Sequence, residues 1–211
     1  RQLGIKRIET AWMMLHKLRA GIVRPDRDRI GGEWPVEVDE TLVGGKTRGE
    51  GRGVTHQVAV IGAVELRDRA TEWSKSRRSF YAGRLRLRVI GARKHDAGRQ
   101  FVEDSVEEGS TVRTDGWAGY DDLASLGYEH EAVVMGHDPK KADKHLPMIH
   151  LVFANLKAWI DGTYHGVSKQ HLQAYLNEFV FRFNRRFTPM ETFHAALGIA
   201  VDVPGPTYEG I

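Results

Sequence analysis

Two periods of apolar recurrence divide the chain. Near its start the spacing is helical: Trp12, Leu15 and Leu18 fall at i, i+3 and i+6 within Glu9–Ala20, and Gly21 supplies a stop signal, which predicts a helix. Val23–Trp34, carrying Pro25, Gly31 and Gly32, reads as a linker. Strand signals follow at Pro35–Val43 and His56–Leu66, the second holding the run Val58-Ala59-Val60-Ile61. In Arg84-Leu85-Arg86-Leu87-Arg88-Val89 the period is two, so three arginines share one face and three apolar residues the other. Asp96–Glu108 is helical with Phe101 on its apolar side. A strand at Thr111–Asp115, a short helix at Trp117–Leu126 and a strand at Glu131–Met135 come next. After a polar stretch from Gly136 to Pro147, three helices close the pattern: Ile149–Asp161, Ser168–Arg186 and Pro189–Leu197. In the second of these, Leu172, Tyr175, Leu176, Phe179 and Phe183 form a core stripe, and Arg182, Arg185 and Arg186 crowd the last turn, where they complement the helix dipole.

Three strands, a helix, a strand, a helix, a fifth strand and then helices is the element order of a ribonuclease-H-like fold. The expected class is α/β, a mixed five-stranded sheet flanked by helices. The expected organisation is the end of a possible helix-turn-helix at 1–22, a linker at 23–34, a ribonuclease-H-like catalytic domain at 35–200 and a C-terminal tail at 201–211. At 211 residues and 41% hydrophobic content the chain has enough apolar material for a core. Its apolar runs are far shorter than the roughly 20 residues a bilayer requires, so a protein without a membrane partner, located in the cytoplasm, is expected. Cysteine is absent, which removes disulfides, thiol nucleophiles and cysteine-ligated zinc from this segment. The first residue is Arg1 and the pattern begins midway, which reads as a piece of a longer protein.

Net charge is only +3, but it is segregated. Ten Lys/Arg lie between Arg67 and Lys94 against Asp68 and Glu72; from His95 to Glu131 ten acids face Arg99 and Arg113. The cationic block is either a solvated face or a partner for a phosphate backbone. Gly44–Gly53 is a glycine-rich basic loop lacking the spacing and the strand-loop-helix order of a P-loop.

Two aspartates stand in unfavourable places. Asp39 lies mid-strand in Val36-Glu37-Val38-Asp39-Glu40-Thr41, and Asp115 closes Thr111-Val112-Arg113-Thr114-Asp115. Aspartate is a poor strand former, and a buried carboxylate must be paired or coordinated. Each alone is readable as a turn acceptor; together they suggest a metal site. First and fourth strands lying side by side would join them across 76 positions (115 − 39). Glu40 points to the opposite strand face from Asp39.

Several segments resemble, in order, those of ISXO-like insertion-sequence transposases. They are Val36–Thr41 followed by Gly44-Gly45-Lys46, Thr114-Asp115-Gly116-Trp117-Ala118-Gly119-Tyr120, His150–Trp159, and Gly162–Ser168 through Phe181–Arg186. The resemblance covers about Glu9 to Ala200. It implies a ribonuclease-H-like domain of the DDE superfamily that cuts and joins DNA with two divalent ions, Mg²⁺ with Mn²⁺ able to substitute. It further implies an upstream zinc ribbon and the start of a helix-turn-helix, a homo-oligomer on transposon-end and target DNA, and association with the nucleoid. Carried onto this chain, it implies metal ligation by Asp39, Asp115 and, at the late-helix position, Asn155.

On a helical wheel Leu151, Val152, Ala158 and Trp159 lie within roughly 60° of Asn155, which reads as a polar residue in an apolar stripe. Its amide has two ways to be satisfied, on backbone or on a cation. Asparagine brings one negative charge fewer than glutamate, so a DNA phosphate oxygen is expected to complete the site. His150, about 140° round the helix from Asn155, reaches a metal or phosphate only from the first turn. Asp161 and Glu178 are further available acids. Lys46, Arg48, Arg52, Arg84, Arg86, Arg88 and Lys157 are the candidate phosphate contacts. A nuclease or resolvase without a joining step, and a decayed protein that only binds DNA, are the alternatives.

Overall fold

The computed structural model describes residues 4–22, 28–44, 57–69, 79–91, 95–133 and 145–202. The chain forms two compact units, one of residues 28–169 and one of residues 1–27 with 170–211. The first holds a five-stranded mixed sheet. Its elements are β1 (Val36–Val43), β2 (Val58–Asp68), β3 (Phe80–Ile90), α2 (His95–Ser105), β4 (Thr111–Thr114), a 3₁₀ helix (Ala118–Leu126), β5 (Glu129–Ala132) and α3 (Pro147–Tyr164). Strand order is β3-β2-β1-β4-β5. β1, β2 and β3 form an antiparallel meander, while β4 and β5 run parallel to β1 and to each other. This is the α/β, ribonuclease-H-like arrangement.

Side-chain alternation assigns the two faces. β2 is buried almost throughout, as a strand covered on both sides must be. Cross-strand partners share a face, so the register gives rows: Asp39, Gly62 and Leu87 on one side; Val38, Ala63 and Arg86, with Glu40, Ile61 and Arg88, on the other. The second side carries the core of Val36, Val38, Ile61, Ala63, Phe101, Val102, Tyr120 and Leu123, built from the sheet, α2 and the 3₁₀ helix. The first side receives α3. A Cβ at Gly62 would stand 2.9 Å from Ile149, Leu87 and Phe153 side-chain carbons, so only glycine lets α3 lie this close.

These faces revise three expectations. The arginine alternation on β3 is present, but the stripe lies on the α2 side, opposite Asp39. Its guanidinium groups have internal partners: Arg84 Nε meets Glu65 at 2.7 Å, Arg88 meets Asp104 at 2.8 Å and lies over the Phe101 ring, and Arg86 donates to the Asp28 and Leu85 carbonyls. Residues 28–34, assigned to a linker, belong to the sheet unit: Ile30 is fully buried and bridges Val106, and Gly31 and Gly32 donate to Glu65 and Ser110. The fifth strand begins at Glu129, ahead of the expected Glu131, because its ladder to β4 pairs Thr111 with Glu129 and Arg113 with Glu131.

The second unit contains α1 (Ile8–Gly21), α4 (Leu172–Asn184) and α5 (Pro189–Asp202). The α4 stripe is buried at Leu172, Tyr175, Leu176 and Phe179. In α1, however, the buried positions are Met13, His16 and Arg19, whereas Trp12, Leu15 and Leu18 are exposed. The reason is polar. Arg19 Nε meets Glu178 at 2.8 Å and the guanidinium lies over the Tyr175 ring, turning its face inward. Glu178 is thereby committed to an ion pair.

Candidate catalytic site

On β1, Glu37 and Asp39 share the α3 side, and Val38 and Glu40 the other. The parallel pairing of β1 with β4 matches Val36 to Val112 and Glu37 to Arg113, an offset of 76 positions (112 − 36). The same offset separates Asp39 on β1 from Asp115, which directly follows the last residue of β4, Thr114. The separation of the two acids along the chain is thus the register of the sheet.

The Thr114–Tyr120 motif has a local explanation at each position. Asp115 Oδ1 accepts the Trp117 N–H at 3.0 Å, and Gly116 occupies a left-handed φ of 74°, an Asx-type turn that fixes the carboxylate just past the strand. Gly119 makes room for the Trp117 ring, which would lie 2.4 Å from a Cβ there. Trp117 meets Tyr120 edge-on. Tyr120, fully buried, donates its hydroxyl to Glu40. Burial raises the phenol's pKa well above its ordinary value, and the charges of Glu40, Asp39 and Asp115 add to the effect.

From the late helix, the residue in contact with Asp39 is His150, whose Nε2 lies 3.0 Å from Asp39 Oδ2. Asp39 Oδ1 accepts the Glu40 N–H at 2.8 Å. His150 sits in the first turn of α3, the only turn from which it was expected to reach. Asn155 is exposed, as are Ala158 and Leu151, the latter at 44%. The buried arc of α3 is instead Met148, Ile149, Val152, Phe153, Leu156 and Ile160. The stripe around Asn155 was drawn too wide, and His150 and Asn155 flank the buried arc on opposite sides. Lys157, seven residues from His150 and hence nearly in line with it two turns along, is exposed, as is Asp161.

Glu37 was not singled out from sequence. Its Oε2 accepts the N–H groups of Met148 and Ile149, both at 2.8 Å, at the start of α3. Burial raises its pKa to about 7, opposed by those two hydrogen bonds and by the charges of Arg113 and His150. The strand alternation placed it on the acid face, but an acid inside an apolar strand gave no sign of which donors it would meet.

Asp39 and Asp115 are the donor pair suited to a hard divalent cation. Among the described residues no three His, Asp or Glu side chains group closely enough to hold a metal ion by themselves. Lys46, Arg48 and Arg52 lie outside the described residues. No described helix is long and apolar enough to cross a membrane.

Comparison with curated proteins and with solved structures returned no match. The family profile of the ISXO2-like transposase domain does match, across residues 29–184. That span contains the whole sheet, both aspartates and all of α3, and the chain belongs to the ISXO2-like transposase domain family.

Proposed function

We propose that this chain is the catalytic core of an insertion-sequence transposase that nicks DNA at a transposon end and joins the freed 3′-hydroxyl to target DNA. The observation that carries the reading is the parallel pairing of β1, which carries Asp39, with β4, which leads directly into Asp115, together with His150 on Asp39. The two carboxylates are the residues to hold Mg²⁺ or Mn²⁺. When bound there, a pair of such ions supplies Lewis-acid activation of the attacking hydroxyl and charge neutralisation at the leaving oxygen.

The chain's own groups orient and exclude. His150 fixes the Asp39 carboxylate through Oδ2 while the Glu40 N–H holds Oδ1, so the carboxylate is preorganised before DNA arrives. The Asx turn does the same for Asp115. His150 is taken here as the third polar group of the centre in preference to Asn155, because it has the contact. Lys157, on the His150 side of α3, suits a phosphate of the same DNA strand, with Lys46, Arg48 and Arg52 as further phosphate contacts. The β3 arginines are assigned to the fold. Action is on DNA in the cytoplasm, as an oligomer at paired ends.

The test is incubation of the protein with Mg²⁺ or Mn²⁺ and candidate transposon-end DNA. Metal-dependent nicking followed by joined products is expected. Hydrolysis without joining would make the protein a nuclease, and binding without metal-dependent cleavage would leave it a DNA-binding protein only.

A further inference from the structure

The N-terminus of α3 has no cap of its own. Leu146 at the cap position makes no side-chain hydrogen bond, and Pro147 opens the helix. The orphan N–H groups of a first turn need acceptors when buried, and Met148 and Ile149 are buried. Both are met by one oxygen of Glu37, more than a hundred positions earlier in the chain and itself 0% exposed. The other oxygen, Oε1, is buried with no hydrogen-bond partner among the described residues. A buried carboxylate left half satisfied is a poor device for stability alone, since an apolar side chain of similar volume generally serves as well. What the carboxylate does provide is geometry. Ile149 precedes His150, and Glu37 precedes Asp39 by one strand repeat on the same face, so strand and helix are stitched twice in succession: Glu37 to the backbone at 148 and 149, then Asp39 to His150.

We propose that Glu37 is a positioning residue of the catalytic centre: by capping α3 from β1 it fixes the helix start at the depth and rotation that bring His150 onto Asp39. It acts through His150 and touches no reacting atom. The inference rests on the proposed DNA chemistry for its consequence in rate, but not for its structural content.

Two readouts separate these. The first is the ring ¹³C and ¹⁵N resonances of His150 at one fixed pH, recorded without DNA. Glu37→Gln keeps an acceptor oxygen and should displace the resonances only by the small effect of its lost charge. Glu37→Asp, whose carboxylate is one methylene shorter, and Glu37→Ala should move them. Should Glu37→Ala fail to fold, Glu37→Asp carries the test. The second is a double-mutant cycle on DNA cleavage. Glu37→Asp should slow cleavage about ten- to a hundredfold by misplacing a group near the chemistry, and should have little further effect once His150 is alanine. Unmoved His150 resonances in a folded Glu37→Asp protein would overturn the proposal, as would additive rate losses in the cycle. A parent protein that cleaves no DNA would defeat the functional reading and leave the resonance experiment to decide this one.

Discussion

Glu37 and Glu65 are both shielded from solvent, yet their environments act in opposite directions. For Glu65 burial alone would raise the pKa, but the Arg84 and Gly31 N–H groups and the Arg84 guanidinium outweigh it and hold the carboxyl below its usual range. Arg67 Nε adds a contact at 2.9 Å. Glu37 has two donors on one oxygen, and burial wins. The difference is the number of donors, and it gives each residue a distinct signature. Arg84→Ala should lower stability by about 1–3 kcal/mol through loss of its charged hydrogen bond to buried Glu65, measured by denaturant unfolding, and leave the salt dependence of DNA binding unchanged. A flattened salt slope would return Arg84 to the phosphate contacts. At the centre itself, His150→Ala should slow cleavage roughly a hundredfold, and Asn155→Ala by no more than about twofold. The reverse order in parallel cleavage assays would restore Asn155 as the third group. The two aspartates stand out in the sequence because carboxylates are costly in strands, and the structure sets Asp39 within β1 and Asp115 directly after β4. For Asn155 an ideal wheel cannot tell which arc a sheet will cover: Asn155, Leu151 and Ala158 are exposed, while Val152 is buried and Trp159 partly so.

At the scale of elements, α3 works because the sheet beneath it is flat at one point. Gly62 lies in the same row as Asp39, and its missing side chain admits Ile149 and Phe153. Gly62→Ala should cost about 1–3 kcal/mol by overpacking and should impair cleavage beyond what lost stability explains, because α3 must ride outward and carry His150 with it. Thermal unfolding alongside rates measured well below the transition checks this, and full activity in a folded Gly62→Ala protein would show that α3 tolerates the shift. Strands and helices were readable from period alone, since alternation and 3.6-residue recurrence are properties of local chain. Which face of β3 met which layer was not. Period two separates the arginines from the leucines without saying that the leucines would lie under α3 and the arginines beside α2. Likewise in α1, the spacing of Trp12, Leu15 and Leu18 marks the helix but not its buried face, which carries Arg19 paired with Glu178 from a segment far along the chain.

At the scale of the whole molecule, pH should act on stability through Glu37. Its folded pKa of about 7 lies above the ordinary value of 4.5, so the folded protein holds the proton more tightly than the unfolded chain. Stability from this source is complete below the ordinary value and is lost as pH rises through about 7, amounting to about 3 kcal/mol at most. Glu37→Gln should therefore show a smaller fall in unfolding free energy across that window than the parent, as read by denaturant titrations at several pH values; identical slopes would place the carboxyl in a more polar setting. Glu65 contributes in the other sense, its stabilisation lost as pH falls through its lowered value. Element order anticipated the topology because parallel β1 and β4 pair only if the chain crosses over between them, and the 76-position offset of that pairing equals the spacing of the two acids. The central claim is that this pair of aspartates performs the DNA chemistry. It is tested most directly by measuring Mg²⁺-dependent nicking and joining of transposon-end DNA by the purified, folded Asp39→Asn protein beside its parent, with DNA binding measured on the same samples. Loss of both products with binding largely retained is the predicted result; joined ends formed at the parental rate would contradict it.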